Sequence, residues 1–473
     1  MSKPIVVDLD GTLIRSDILV ESGFAFLRSF PQKFFQPLQW LASGGKPALK
    51  AGLAEHVSID VTTLPYNLQV INWLTEMRAA GRELVLATAS HESFAKRIAE
   101  HLGLFVRVFA SDERVNLSSH RKRERLVAEY GEKGFDYVGN SHDDIAVWQS
   151  ADRAYVVNPH AGVMRAANRG ANVEQVFENR PPQFKVWAKA LRLHQWLKNL
   201  LILVPLLAGH HLANLALLGH AVLAFVSFGL CASSVYLLND LLDLEDDRHH
   251  PVKRRRPLAA GTLPLLWGMA LCPVLLAVAF GIAAAFLPWR FSAVLLGYYV
   301  LTLAYSLVLK RRVMIDVVTL AALYTTRIIA GAAAISVHLT FWLLAFSMFF
   351  FLSLAFVKRY AELNAMVQAG REKTRGRGYL SDDLSMVSSL GTASGYISVL
   401  VLAMYIQDGG TTVLYRHPQY IWLACPVMLY WISRTWIITH RGGMNDDPIV
   451  FAARDRMSLL VVALCGLAFW LAT

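Results

Sequence analysis

From about residue 197 to the C-terminus, apolar runs of roughly 17–25 residues recur, each long enough to cross a hydrocarbon core. Inside lipid a backbone must satisfy its own hydrogen bonds, so runs of this kind predict a bundle of helices. They fall near 197–213, 217–241, 264–287, 291–309, 314–335, 340–359, 387–406, 419–437 and 456–472, about nine spans in all. Residues 1–180 contain no comparable run and read as a soluble domain. Composition agrees, since 55% hydrophobic and 17% charged residues over 473 positions is less charge than a soluble protein of that length carries. The four cysteines, Cys231, Cys272, Cys425 and Cys465, all lie in these spans, as small apolar residues rather than a disulfide framework or a metal site.

Positive charge orients the bundle. Lys253 to Arg256, Lys310 to Arg312, Lys358 and Arg359, the group Arg371, Lys373, Arg375 and Arg377, and Arg441, Arg454 and Arg456 fall in loops on one side. The opposite loops hold little beyond Arg290 and Arg416. The expectation is a multi-pass protein of the inner (plasma) membrane, with a cytoplasmic N-terminal domain and Thr473 on the far side, as an odd number of spans requires. The start, MSKPIVVDLDGTL, lacks the longer apolar stretch and cleavage site of a signal peptide. The lipid bilayer is the expected surroundings and nucleic acid is not an expected partner. The sequence leaves the oligomeric state open, a homo-oligomer included.

The second apolar run ends in NDLLDLEDD, residues 239–247, and RHHPVKRRRPLAAG follows directly. Asp240, Asp243 and Asp247 stand at i, i+3 and i+7, which on a helix is one face. Carboxylates at the edge of a membrane helix are costly, so they mark a functional site. Acceptors of this type suit Mg²⁺, which binds through a few carboxylates plus substrate phosphates. The basic run, Arg248, Lys253, Arg254, Arg255 and Arg256, supplies cations for a diphosphate. The competing reading is a solvated charged loop, but a loop needs no regular aspartate spacing.

The soluble part alternates strand and helix. PIVVDLDGTL, RELVLATAS (82–90), RVFAS (107–111), DYVGN (136–140) and RAYVVN (153–158) read as strands, with helical segments between them. In such sheets ligands sit at the carboxyl ends of the strands, where Asp8, Asp10, Thr88, Asn140, Asp143 and Asp144 fall. Lys122 lies early in a helix between two of them. Between Asp17 and about Tyr66 a helical insert forms the expected cap. Its stretch FAFLRSFPQKFFQPLQW suits either a membrane surface or the packing of cap helices on one another.

Residues 4–175 resemble the haloacid dehalogenase-like phosphatases. The resemblance rests on Asp8-Leu9-Asp10-Gly11-Thr12, on Thr88 after an apolar strand, on Lys122, and on Gly139-Asn140-Ser141-His142-Asp143-Asp144. It implies that Asp8 is a nucleophile forming an aspartyl phosphate and Asp10 the general acid/base. It further implies that Thr88 and Lys122 hold the phosphoryl oxygens and that Mg²⁺ is held by Asp8, Asp10, Asn140 and Asp144. Asn140 departs from the pattern, because it stands where an Asp is usual and supplies one less negative charge. An inactive domain kept for packing or regulation is the competing reading.

In the membrane half, RLHQWLKN (192–199) precedes the first span, YSLVLKRRVMID (305–316) joins the fourth to the fifth, KRYAEL (358–363) ends the sixth, and DDPIVFAARDR (446–456) precedes the ninth. Arg327 is a lone charge deep in an apolar run and calls for an anionic partner or a water-filled cavity. Residues 185–473 resemble the UbiA-type intramembrane prenyltransferases, through Asn239, Asp240, Asp243, Asp247, Arg256, Pro257 and Gly261. A second acidic cluster, usual in the aromatic prenyltransferases, is reduced to Asp316, with Thr319 and Leu320 beside it. HQWLKN, YSxxLKR with Asp316, RxxAG at Arg327 to Gly331, and KRYAEL are similar instead to the decaprenyl-phosphate phosphoribosyltransferase branch. That resemblance implies transfer of 5-phosphoribose from phosphoribosyl diphosphate to a polyprenyl phosphate. Asp240, Asp243 and Asp247 would hold Mg²⁺. Lys198, Asn239, Arg248, Lys253, Arg256, Tyr305, Lys310, Asp316, Arg327, Lys358 and Arg359 would bind the substrates.

The expected architecture is therefore an α/β Rossmann-like domain with a small helical cap, residues 1–180 with the cap at about 17–66, followed by an all-α polytopic bundle, residues 185–473. The fusion suggests that the first domain removes the 5-phosphate of the transferase product, since a tether raises effective concentration. The alternatives are a 4-hydroxybenzoate-type aromatic prenyltransferase with an inactive or regulatory first domain, and a non-catalytic membrane regulator or transporter-like bundle.

Overall fold

The computed structural model describes residues 3–113, 115–159, 162–368, 370, 378–407, 415–444 and 447–473. The loop cations Arg371, Lys373, Arg375 and Arg377 lie outside these. The chain divides into two compact units, residues 1–191 with 237–271, and residues 192–236 with 272–473. The aspartate segment thus belongs to the first unit, although it was read from sequence as part of the membrane half.

The first unit is built on six parallel strands: β1 (Ile5–Val7), β2 (Leu84–His91), β3 (Arg107–Ser111), β4 (Asp136–Gly139), β5 (Ala154–Val157) and β6 (Val173–Phe177), in the order β3-β2-β1-β4-β5-β6. β1 is apolar throughout because both faces are covered. Ile5 and Val7 enter one buried cluster and Val6 another. β1 pairs with β2 and β4 in parallel register, Val7 opposite Leu86 and Val138. Strand order reverses between β1 and β4, so their carboxyl ends open a crevice where a ligand can sit. Asp8 follows β1 there and Asn140 follows β4. The five strands read from sequence are present. β6 was not anticipated, because its VEQVF pattern is mostly exposed at the sheet edge.

The cap is two helices. Ile18–Ser29 starts at Asp17, whose side chain accepts from Leu19 N and Val20 N. Gln36–His56 is kinked at Gly45 and carries Pro47. Its aromatic stretch divides between the two readings. Phe26 is buried against Trp40, with ring centroids 5.3 Å apart, while Phe34, Phe35, Leu38 and Leu41 are exposed.

Among the described residues seven helices are long and apolar enough to cross a membrane: Leu215–Leu242, Leu265–Phe286, Trp289–Leu307, Ile315–Ile335, Phe341–Gln368, Ser381–Ile406 and Pro418–His440. An eighth arises only if Pro448–Arg454 and Arg456–Ala472, bent by 84°, count as one span. The expectation was about nine, and the difference begins at the first run. The run at 197–213 is a three-ten stretch, Leu193–Leu203, followed by the short helix Val204–Ala208, with Pro205 in its first turn. That piece is too short to be counted with the others.

Ile315–Ile335 is the most buried of the seven, and it packs against Leu193–Leu203 at Gly331. A Cβ at Gly331 would stand 2.0 Å from the carbonyl oxygen of Ile202, a backbone atom that cannot swing aside. We expect Gly331→Ala to destabilise the second unit by about 1–3 kcal/mol, the usual cost of overpacking. Gly297→Ala, with no atom within 4 Å of the new Cβ, should leave the melting temperature in detergent unchanged or higher. Equal melting curves for the two variants would show that the close approach carries no strain.

Candidate functional site

The crevice at β1 and β4 gathers a buried charge network. Lys122, on the helix Ser119–Tyr130, places Nζ 2.7 Å from Asp8 Oδ1, 3.0 Å from Tyr137 Oη and 3.7 Å from Asp144 Oδ1. Tyr137, on β4, in turn donates to Asp144 Oδ1 at 2.8 Å. Burial pushes Asp8 up to about 6, against the opposing pull of Lys122. Asp10 accepts from Ser90 Oγ at 2.6 Å and from Ile18 N at 2.8 Å. Burial and the neighbouring Asp17 push it up to about 7, so it holds a proton near neutrality, as a general acid must. Thr88 is fully buried and its hydroxyl accepts from Ser90 N at 3.0 Å.

Asn140 Oδ1 accepts from Thr12 Oγ1 at 3.3 Å, which places its amide at the mouth of the crevice. Asp144, expected as a metal ligand, has both oxygens engaged. Oδ2 takes Asn140 N, Ser141 N and Ser141 Oγ, and Oδ1 takes Tyr137. These bonds shape the turn that carries Asn140. Asp143 is exposed. Among the described residues no three His, Cys, Asp or Glu side chains converge as a metal cage. Mg²⁺ does not require one, since it keeps waters and binds through one or two carboxylates plus substrate phosphates. The Asp8 carboxylate and the Asn140 carbonyl fit that minimal set.

The first unit also holds the aspartate segment. Asn239 and Asp240 end the helix Leu215–Leu242, and Asp243 starts the helix Leu244–His249, which carries Asp247. The expected single helix is interrupted at Asp243, yet Asp243 N→Asn239 O and Asp247 N→Asp243 O, at 2.9 and 2.8 Å, keep the two pieces nearly in phase. Asp240 and Asp247, both buried, converge on one atom. Arg256 Nη1 lies 3.0 Å from Asp240 Oδ1 and 2.6 Å from Asp247 Oδ2. Burial raises Asp247 and Arg256 opposes the shift. Two desolvated carboxylates that share one cation are a donor set that fits Mg²⁺. Asp243 and Asn239 are half-buried, and Lys253 is exposed on the turn Lys253–Arg255. Arg248, expected at the diphosphate, instead has both terminal nitrogens on Glu21, at 3.1 and 2.5 Å.

The second unit has its own polar centre. Lys198 Nζ lies 2.7 Å and Lys358 Nζ 3.1 Å from Asp447 Oδ2, and Tyr324 Oη donates to the same carboxylate at 3.1 Å. Burial pushes Asp447 up, but the two lysines override it and hold the carboxyl well below the usual range. Arg327 is buried, and among the described residues its partners are neutral. Its nitrogens donate to Asn199 Oδ1 (3.0 Å), Leu323 O (2.6 Å) and Tyr298 Oη (3.2 Å). The rings of Phe228, Tyr298 and Tyr324 surround it at 5.2, 5.1 and 5.9 Å. Asp316 and Arg359, both wholly buried, pair with each other at 2.8 Å, and Tyr379 donates to Asp316 at 2.6 Å. That pair joins Ile315–Ile335 to Phe341–Gln368. Tyr305 and Lys310 are half-buried near the end of Trp289–Leu307.

Sequence reading missed Glu21, Ser90, Tyr137, Asn199, Tyr298, Tyr324, Tyr379 and Asp447. Only Asp447 had a local signal, as the Asp-Pro that caps Pro448–Arg454, where its side chain accepts from Ile449 N.

The UbiA prenyltransferase family model matches residues 201–462. An uncharacterized protein of Sinorhizobium fredii is 38% identical over 99% of this chain and 91% of its own length, so the likeness spans both halves. The nodulation protein NoeC of Azorhizobium caulinodans is 38% identical over 61% of this chain and 92% of its own. Decaprenyl-phosphate phosphoribosyltransferase of Mycobacterium tuberculosis is 33% identical over 60% of this chain and 91% of its own.

The raised Asp10 carboxyl has a consequence for stability. Its folded-state value, about 7, exceeds the ordinary 3.8, so the folded form binds the proton more tightly. The contribution is fully present below about pH 4 and is lost as pH rises through 7. Asp10→Asn cannot ionise. In chelator, its hydrogen-exchange protection at Ile5–Val7 relative to the parent should therefore increase from pH 5 to pH 8; a difference independent of pH would contradict the raised carboxyl.

Proposed function

Since the chain belongs to the UbiA prenyltransferase family, we propose that it transfers 5-phosphoribose from phosphoribosyl diphosphate to a polyprenyl phosphate, and that its first unit then removes the 5-phosphate. The observation that carries the donor and acceptor is the 33% identity to decaprenyl-phosphate phosphoribosyltransferase across 60% of this chain. The side chains support it. Both substrates are phosphates, and the described cations, Arg256 in one unit and Lys198 and Lys358 in the other, each stand against a buried carboxylate. The aromatic prenyltransferase reading has less support, because Asp316 is committed to Arg359 and Thr319 donates to Ile315 O at 2.6 Å.

In this reading Asp240 and Asp247, with Asp243 beside them, would hold a Mg²⁺, which would supply positive charge for the leaving diphosphate. Arg256, released from the two carboxylates, turns to the diphosphate oxygens. The bond from ribose C1 to the diphosphate breaks and the lipid phosphate oxygen bonds to C1, so the products are the lipid-linked ribose 5-phosphate and free diphosphate. The acceptor phosphate is already ionised and needs no protein base. Lys198, Lys358 and Arg327 neutralise substrate phosphate charge.

In the first unit Asp8 attacks the 5-phosphate, Asp10 gives its proton to the departing sugar oxygen, and Lys122 and Thr88 hold the phosphoryl oxygens. A water activated by Asp10 then releases inorganic phosphate from Asp8. Asp8 and Asn140 would hold a Mg²⁺ that lowers the charge on the phosphoryl group. We place both reactions on the cytoplasmic side of the plasma membrane, where the positive loops point.

Asp240→Ala or Asp247→Ala should lower diphosphate release by more than about a hundredfold, as when an electrostatic stabiliser is removed. The assay is labelled phosphoribosyl diphosphate with polyprenyl phosphate and Mg²⁺; normal turnover by both variants refutes the assignment. Asp8→Asn should still consume phosphoribosyl diphosphate but accumulate the lipid-linked ribose 5-phosphate. Mass spectrometry of the extracted lipid distinguishes it from the dephosphorylated product of the parent. Identical phosphorylated products would mean that the first unit does not act on this lipid.

A further inference from the structure

We propose that Glu21, on the cap helix Ile18–Ser29, is a positioning residue for the transferase aspartates, so that the phosphatase cap is a working part of the transferase site. This rests on the transferase reading above. The contact lies wholly within the first unit. Glu21 and Arg248 form a two-pronged ion pair, 3.1 and 2.5 Å, with 5% and 9% of each residue exposed. Ser16 Oγ donates to Glu21 from the other side. The remaining arm of Arg248, Nε, donates to Ala259 O at 3.2 Å. One guanidinium therefore fastens the helix Leu244–His249 to the turn that follows Arg256, and both to the cap. Asp247 adjoins Arg248 in the chain, and Arg256 joins Asp247 to Asp240. The geometry of the aspartates is thus set through Arg248.

Other contacts support the same docking. Arg28 reaches Glu245 and Asp246 at 3.2 and 3.4 Å, and His249 Nε2 lies 3.0 Å from Asp60. Gly261, at φ +65°, lies so close to Arg15 that a Cβ would stand 2.7 Å from the Arg15 Cβ and 3.0 Å from its carbonyl. These outer pairs are exposed and contribute little. Glu21–Arg248 differs because it is desolvated. Such a pair adds little net stability over an apolar one, but losing one partner leaves a buried charge uncompensated. Its use here is to hold one arrangement of the aspartate segment. The same helix begins at Ile18, whose N–H donates to Asp10.

The test uses the full-length protein in nanodiscs: parent, Glu21→Gln, Arg248→Gln, the double variant, and Arg153→Ala as an exposed control. Transfer is followed against phosphoribosyl diphosphate concentration, and hydrogen exchange is read across residues 244–261. Glu21→Gln should raise KM for the donor about tenfold or more and loosen 244–261, while β1 and the second unit keep their protection. The double variant should recover most of the loss, because two neutral amides leave no unpaired charge. Parent-like KM and exchange in Glu21→Gln would overturn the proposal, as would loss of protection throughout both units. If the parent itself does not use phosphoribosyl diphosphate, the transferase reading fails. The exchange data then still decide whether Glu21 holds the aspartate segment.

Discussion

A charge taken out of water must be met by an opposite charge or a full set of hydrogen bonds. That constraint organises the polar centres described above. Lys122 answers Asp8 and Asp144, Arg256 answers Asp240 and Asp247, Arg248 answers Glu21, and Asp447 answers Lys198 and Lys358. Arg327 shows the other solution, with neutral acceptors and aromatic rings in place of an anion. In each case the pairing holds cations or carboxylates at a defined place. Pre-set charges need little reorganisation when the reacting group develops its own.

The centres differ in how they use burial. At the crevice between β1 and β4 it raises both Asp8 and Asp10, but Asp8 accepts a hydrogen bond from Lys122 while Asp10 accepts from Ser90 and Ile18. The environment thereby gives two aspartates two residues apart different surroundings. At the aspartate segment the same burial draws two carboxylates onto a single guanidinium nitrogen. The Asp316–Arg359 pair has no exposure at all and joins two helices. Such a desolvated pair holds the two helices in one arrangement.

Much of this was legible in the chain. The first five β strands, the place of Asp8 just after the first of them and the regular spacing of Asp240, Asp243 and Asp247 follow from local pattern, because strand ends and helix faces depend on near neighbours. The count of spans was legible less well. An apolar run at 197–213 satisfies any hydropathy criterion, yet Pro205 and a three-ten stretch divide it. The edge strand Val173–Phe177 was hidden for the opposite reason, since its charged and polar side chains face solvent.

By itself, then, the sequence determined which residue types are present, which segments are helices or strands, and which stretches must leave water. It also placed the carboxylates and cations at element ends. Which charge meets which was decided only by tertiary structure. Arg248 and Glu21 stand 227 positions apart, and Lys198 and Asp447 stand 249 apart. Nothing in local spacing joins them. Arg248 looks like any other cation of a basic run, and only the packing of the cap makes it the partner of a buried glutamate. The physical reason is that pairing energy depends on desolvation, and desolvation is a property of the assembled fold rather than of the residue.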